Sequence, residues 1–171
     1  MAEMSDEIDD VDVSRLLAGA SSAIESARYC WLVTAGEDGF PNLRPMGRLP
    51  NRAGGGEDSL TVQFLTDGRS RKASDMRRDD RVAIIYQHDA DEAFVTLRGR
   101  ATLRESEAEV RQRWNRAYDA LVPAEEDRKH AMFVEVDVER MDLWIRGITP
   151  EPFGMRTTTL ERHAGRGWRV R

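Results

Sequence analysis

The sequence predicts a mainly β protein of the α+β class, a mostly antiparallel barrel or sheet with peripheral helices, and three observations carry that prediction. Segments rich in aromatic and β-branched residues are joined by turn chemistry, as where Tyr29 to Thr34 runs into Gly36-Glu37-Asp38-Gly39. The strands follow one another instead of alternating with helices, which disfavours a doubly wound parallel sheet. The 171 residues read as one domain, and a unit of this size buries about 70% of its unfolded surface.

Each element has its own signal. Residues 1–12 carry six carboxylates and no aromatic residue, which predicts a disordered acidic tail ahead of a single domain at 13–171. From Val13 to Arg28, Leu16, Leu17, Ala20, Ala23, Ile24 and Ala27 recur at spacings of three and four, the stripe of an amphipathic helix. Strand one covers Tyr29 to Thr34 and strand two Phe40 to Leu49. Pro41 and Pro45 lack the N–H that a central strand donates, so strand two reads as an edge, a bulged strand or a ligand-facing one. A Gly-rich loop at 53–56 leads to strand three at 59–66, a short helix at 70–78 and strand four at 81–87. Strand five, Phe94 to Arg104, alternates cleanly and has one wet face. Ser106 and Glu109 have the form of a capping box for a helix reaching about Tyr118, and Pro123 to Glu126 opens a second short turn. In strand six the apolar parity changes from Val134, Val136 and Val138 to Met141, Leu143 and Ile145, which predicts a bulge or bend near Arg140.

Composition excludes several functions. The net charge of −5 belongs to the first twelve residues, leaving the remaining 159 at +1, so no broad basic field tracks nucleic acid. Cys30 is the single cysteine, which rules out an intramolecular disulfide and a Cys-based zinc site and fits a reducing cytoplasm. Flanked by Tyr29 and Trp31, it reads as buried and inert. No signal peptide or membrane-spanning run is visible. The Gly-rich loop has no Lys-Ser/Thr after it and is no phosphate loop.

The segment with the most chemical content is Thr66-Asp67-Gly68-Arg69-Ser70-Arg71-Lys72. Ser70 is placed as N-cap of the short helix, and three cations crowd its first turn against the helix dipole. That placement makes sense if an anion such as a phosphate sits among them; the other reading has the side chains simply extending into water. Lys72 is one of two lysines beside twenty-four arginines, which suits a point-charge role or chance alike.

Three blocks in order carry a family resemblance: Gly39-Phe40-Pro41 leading to Arg44-Pro45-Met46; Phe64-Leu65-Thr66 through Ser70-Arg71-Lys72 to Arg81-Val82-Ala83; and Leu97-Arg98-Gly99-Arg100-Ala101. Over residues 15–145 the chain resembles the FMN-binding split barrels related to pyridoxamine 5′-phosphate oxidase, especially their general stress protein branch. The resemblance implies a six-stranded antiparallel split barrel and a homodimer with FMN at the subunit interface. It also implies that Arg71 and Lys72 hold the FMN phosphate with Ser70 nearby, that Thr66 lies along the ribityl chain or ring, and that Arg44, Pro45 and Met46 border the isoalloxazine. Trp144 falls outward between Leu143 and Ile145, to be covered by a partner subunit, by the flavin edge or by the C-terminal tail. Trp31 and Trp114 read as core.

The chain also departs from the oxidases. Arg162-His163 stands where an Arg-x-His is expected, and the helix after strand five has no Arg-Pro. The expected function is therefore an FMN-dependent oxidoreductase of unknown substrate that is not a true pyridoxamine 5′-phosphate oxidase, with a small molecule or nicotinamide as reductant. The alternative is a flavin-binding stress or carrier protein without turnover. No catalytic side chain, metal, nucleic acid or membrane partner is implied. The Arg-rich segment at 156–171 reads as a hairpin around Gly165-Arg166-Gly167 without an assigned role.

Overall fold

The computed structural model describes residues 3–49, 60–163 and 167–171. The Gly-rich loop at 53–56, the start of the third strand and the Gly165-Arg166 pair lie outside the described residues.

Helix α1 covers Glu3–Ser26, so the helix begins ten residues before Val13 and the expected acidic tail is part of it from Glu3 onward. The stripe behaves as its spacing requires, with Leu16, Ala20, Ala23, Ile24 and Ala27 buried. Strands β1 (Tyr29–Ala35) and β2 (Pro41–Gly47) form the expected hairpin. At its turn Gly39 takes φ +84°, a left-handed conformation that suits glycine, while Asp38 Oδ1 accepts from Phe40 N at 3.1 Å.

Strand β3 (Thr61–Asp67), helix α2 (Arg71–Arg78) and strand β4 (Arg81–His88) follow, then β5 (Ala93–Arg104). Ser70 is the N-cap of α2, its side chain accepting from Ala73 N. Helix α3 (Glu107–Arg113) carries the capping box of Ser106 and Glu109 but stops well short of Tyr118. Asn115 Oδ1 accepts from Ala117 N and starts a separate 3-10 helix, Arg116–Ala120. The break lets the Trp114 ring meet Tyr118 and Phe133 edge-on. A single turn, α4 (Glu125–Arg128), precedes β6 (Ala131–Ile145).

The described residues form one antiparallel sheet of eight strands, two more than the expected six, because the C-terminal segment adds β7 (Thr158–His163) and β8 (Gly167–Val170). The order is β2-β1-β4-β5-β6-β7-β8, with β3 on β6, so β2 is an edge strand as its prolines require. The sheet does not close on itself, as in a split barrel. Strand β6 pairs with β5 along its length, and on its other side with β3 through residues 131–137 and with β7 through 140–143. Among the described residues no helix is long and apolar enough to cross a membrane.

The bulge expected near Arg140 is present. Arg98 faces Arg140 and Gly99 faces Val138, so Glu139 is the extra residue on β6. The strands come so close there that a Cβ on Gly99 would run into the backbone carbonyl of Asp137. Gly99→Ala is therefore expected to cost about 1–3 kcal/mol, the usual penalty for overpacking, read as a lower urea midpoint at unchanged slope.

Candidate functional site

Alternation along β1 and β2 decides which side chains meet α2. Cys30, Leu32 and Thr34 face the interior from β1, and the half-buried Asn42, Arg44 and Met46 share that side of β2. Helix α2 packs against β1 with Ala73, Asp75 and Met76 buried. Its Lys72 lies one turn before Asp75 and on the same side of the helix.

Arg44 reaches inward with 17% of its side chain exposed. Its Nη1 donates to Thr34 Oγ1 at 2.8 Å and to Leu32 O at 3.3 Å, and its Nη2 stands 3.6 Å from Asp75 Oδ2. Asp75 is a buried carboxylate, 2% exposed. Its Oδ2 accepts from Thr34 Oγ1 at 2.7 Å and from Asn42 Nδ2 at 2.9 Å, and its Oδ1 accepts from Arg78 Nη2 at 3.3 Å. Burial opposes ionisation of Asp75, but the hydrogen bonds from Asn42, Thr34 and Arg78 outweigh it and hold the carboxyl below its usual range.

Arg44, Arg71 and Lys72 form a cluster of like charge. Burial, with the Arg44 charge beside it, pushes the Lys72 ammonium below the usual lysine range, and Asp67 opposes the shift only in part. Arg44 is lowered by burial and by Arg71, against the pull of Asp75. Among the described residues neither Arg71 nor Lys72 has a hydrogen-bonded or ion-paired partner, whereas Arg69 is bound to Asp67 and Asp127. The third cation of the site is thus Arg44, from a strand about thirty residues earlier, and not Arg69 of the turn itself.

Beside this cluster lies a cleft of about 420 Å³ between the ends of β2 and β3 and the 3-10 and α4 segment, bordered by Met46, Leu49, Leu65, Thr66, Leu121 and Val122. Thr66 and Asp67, the last residues of β3 before the turn into α2, line it, as does Met46 of β2. Of the residues singled out from the sequence, Met46 and Thr66 line this cleft, Ser70, Arg71 and Lys72 open α2 a few residues after Asp67, and Arg44 is tied to that helix through Asp75.

Pro45 and Trp144 do not join them. Pro45 points to the other side of β2, opposite Trp31. Trp144 pairs with Phe94 on β5, twelve residues beyond Met132, the partner of Thr66, which is about 40 Å of extended strand. The outer side carries Trp31, 48% exposed, and Leu43, 53% exposed. The expectation that Trp31 is core is corrected by its parity, since Cys30 and Leu32 take the inward positions of β1. Trp114 is half-buried among Tyr118 and Phe133, as expected.

Thr34, Asn42 and Asp75 were missing from the sequence-based set. A polar residue at an inward position of β1, a second at an inward position of β2 and an acid one turn from Lys72 are the signals that could have found them.

An open antiparallel barrel with a short helix entered directly from β3 is the architecture of split-barrel proteins. The model of the pyridoxamine 5′-phosphate oxidase family matches residues 18–145, and the chain belongs to that family. Among solved structures it is similar to a protein related to general stress protein 26 from Clostridium acetobutylicum, with 17% identity and a TM-score of 0.66 over 85% of this chain and 94% of that one. It is similar as well to a pyridoxamine 5′-phosphate oxidase-related, FMN-binding protein from Nostoc punctiforme, with 18% identity and a TM-score of 0.61 over 93% of each chain. A third likeness is to PhzG from Burkholderia lata in complex with tetrahydrophenazine-1-carboxylic acid, 18% identical, with a TM-score of 0.62 over 93% of this chain and 88% of that one. At these identities the likeness shows the fold. No curated protein matches by sequence.

Proposed function

We propose that the protein is an FMN-binding oxidoreductase in which Arg44, Arg71 and Lys72 clamp the cofactor's phosphate and the cleft beside them takes the ribityl chain and ring. The observation that carries this reading is that Arg44 is tied to Asp75 of α2, the helix that bears Arg71 and Lys72, both without a partner among the described residues, while Thr66 and Asp67 just ahead of that helix line the cleft. Like charges brought together, with Arg44 and Lys72 half-buried and Arg71 exposed, favour an anion that neutralises them. The residues fit the group: a terminal phosphate monoester meets cations and the free N–H groups of the first turn of α2, and Met46, Leu49, Leu65 and Val122 offer apolar walls to a flat ring. The bound flavin would supply hydride or electron transfer, and the protein's residues bind and orient it. A Nostoc protein of the same fold described as FMN-binding supports the choice of cofactor.

The reading includes a homodimer. Pro45 and Trp144 face away from the cleft of their own chain, so only a second copy could bring them to a cofactor. The exposed Trp31, Leu43 and Pro45 form an apolar outer face of the kind that a partner covers.

The cleft offers a phosphorylated substrate little. Its arginine is Arg48, whose Nη1 donates to Glu25 O at 2.6 Å at the end of α1. A dianion leaving water there meets an uncompensated desolvation cost.

Titration of apoprotein tests the assignment: FMN is expected to bind more tightly than riboflavin, and equal affinities would remove the phosphate site. Lys72→Ala or Arg71→Ala is expected to weaken FMN by about 10- to 150-fold, the worth of one charged hydrogen bond, with circular dichroism unchanged. Light scattering should report a dimer, and Trp31→Glu should give a folded monomer; a wild-type monomer with FMN bound would refute the shared interface. In a peroxide assay the FMN-loaded protein is expected to leave pyridoxamine 5′-phosphate unoxidised, while oxidation of a reduced nicotinamide would separate an enzyme from a carrier.

A further inference from the structure

Arg44 enters the cation cluster from the side of the sheet, and its guanidinium is not fixed by covalent proximity as Arg71 and Lys72 are on α2. What holds it is a chain of hydrogen bonds with a fixed direction. A guanidinium can only donate and an ionised carboxylate can only accept. Thr34 Oγ1 stands between them, 2.7 Å from Asp75 Oδ2 and 2.8 Å from Arg44 Nη1, and is 1% exposed. Its single proton must therefore go to Asp75, which leaves its lone pairs to Arg44. The carboxylate is itself locked, with Asn42 on Oδ2 and Arg78 on Oδ1.

We propose that Asp75 and Thr34 are positioning residues that set the Arg44 guanidinium beside Arg71 and Lys72 and so fix the selectivity of the site for a phosphate monoester. The inference rests on the phosphate site proposed above and extends it to two residues that do not touch the ligand. Asp75 ties α2 to β1 and β2 at once, so the helix that carries two of the cations and the strand that carries the third share one anchor. The Thr34 hydroxyl gives the anchor its direction.

Thr34→Val tests this without changing any charge, because valine has nearly the shape of threonine and lacks only the hydroxyl. Wild type, Thr34→Val, Thr34→Ser, Arg44→Gln and the double variant Thr34→Val/Arg44→Gln are titrated as apoproteins with FMN and with riboflavin. The expected result is a loss of about tenfold in the preference of Thr34→Val for FMN, the lower end for a hydrogen bond to a charged group. Its riboflavin affinity should stay at the wild-type value, which also reports an intact fold. Thr34→Ser should keep the preference, and Thr34→Val should add nothing once Arg44 is gone. If Thr34→Val does not fold, Thr34→Ala takes its place in the same comparison. A wild-type preference that survives loss of the hydroxyl overturns the positioning role alone. A wild type that binds riboflavin as tightly as FMN overturns the phosphate site and this inference with it.

Discussion

Strand β6 keeps β5 on one side while it changes neighbour on the other, from β3 to β7, and the bulge at Glu139 falls between the two pairings. Much of the architecture depends on that change. A bulge bends the strand that carries it and increases its local twist, so the two halves of β6 are aimed differently. With the bulge, the residues before it present Val134, Val136 and Val138 to the interior and those after it present Met141, Leu143 and Ile145, so both halves feed one core. Gly99 makes the close approach sterically feasible. Because β3 is held by the first half of β6, its C-terminal end at Asp67 delivers the turn into α2 beside β1 and β2.

The ends of these elements bring charge into a half-buried place, which is costly unless it is compensated. Compensation here is uneven. Asp75 has partners on both carboxylate oxygens, and Arg44 is tied to it directly and through Thr34. The cations Arg71 and Lys72 lack an ion-pair partner among the described residues, and Lys72 is pushed down by its surroundings. Across the rest of the sheet the pattern is different. Arg98 and Arg140 both meet the buried Asp142, Arg104 and Arg113 share Glu135, and Arg162 meets Asp137. Arg28, Arg116, Arg156 and Arg169 also lack an ion pair among the described residues, but they are exposed and scattered, whereas Arg71 and Lys72 share a helix whose buried Asp75 holds Arg44.

Much of this was legible because it is local. Ser70 as N-cap, the capping box at Ser106, the edge position of β2 and the bulge beside Arg140 follow from short-range rules on caps, prolines and parity, and the structure has them. Other features depend on distant partners. Three cations in one turn looked like the site, yet Arg69 is taken by Asp67 and Asp127, the latter about sixty residues on, while Arg44 arrives from β2. The helix expected to reach Tyr118 breaks at Trp114 because that ring is drawn to Phe133 of β6. Trp31 is expected in the core as a residue of an apolar strand, whereas the parity of Cys30 and Leu32 puts it outside.

Strand β2 joins the two faces of the proposed function, and its prolines bear on how a second copy can approach. In an antiparallel pair, alternate residues direct their backbone groups toward the partner strand or away from it. Pro41 and Pro45 share one phase of β2, and since a proline donates nothing to a ladder, that phase is the one turned from β1. The free edge therefore offers N–H donors only at Leu43 and Gly47 within the strand, which leaves it a poor template for adding another strand. The same two prolines, with Leu43, lie exposed on the outer face beside Trp31. Under the proposed dimer, a second chain is thus discouraged from extending the sheet at this edge, and the exposed Trp31, Leu43 and prolines offer it a face to pack on.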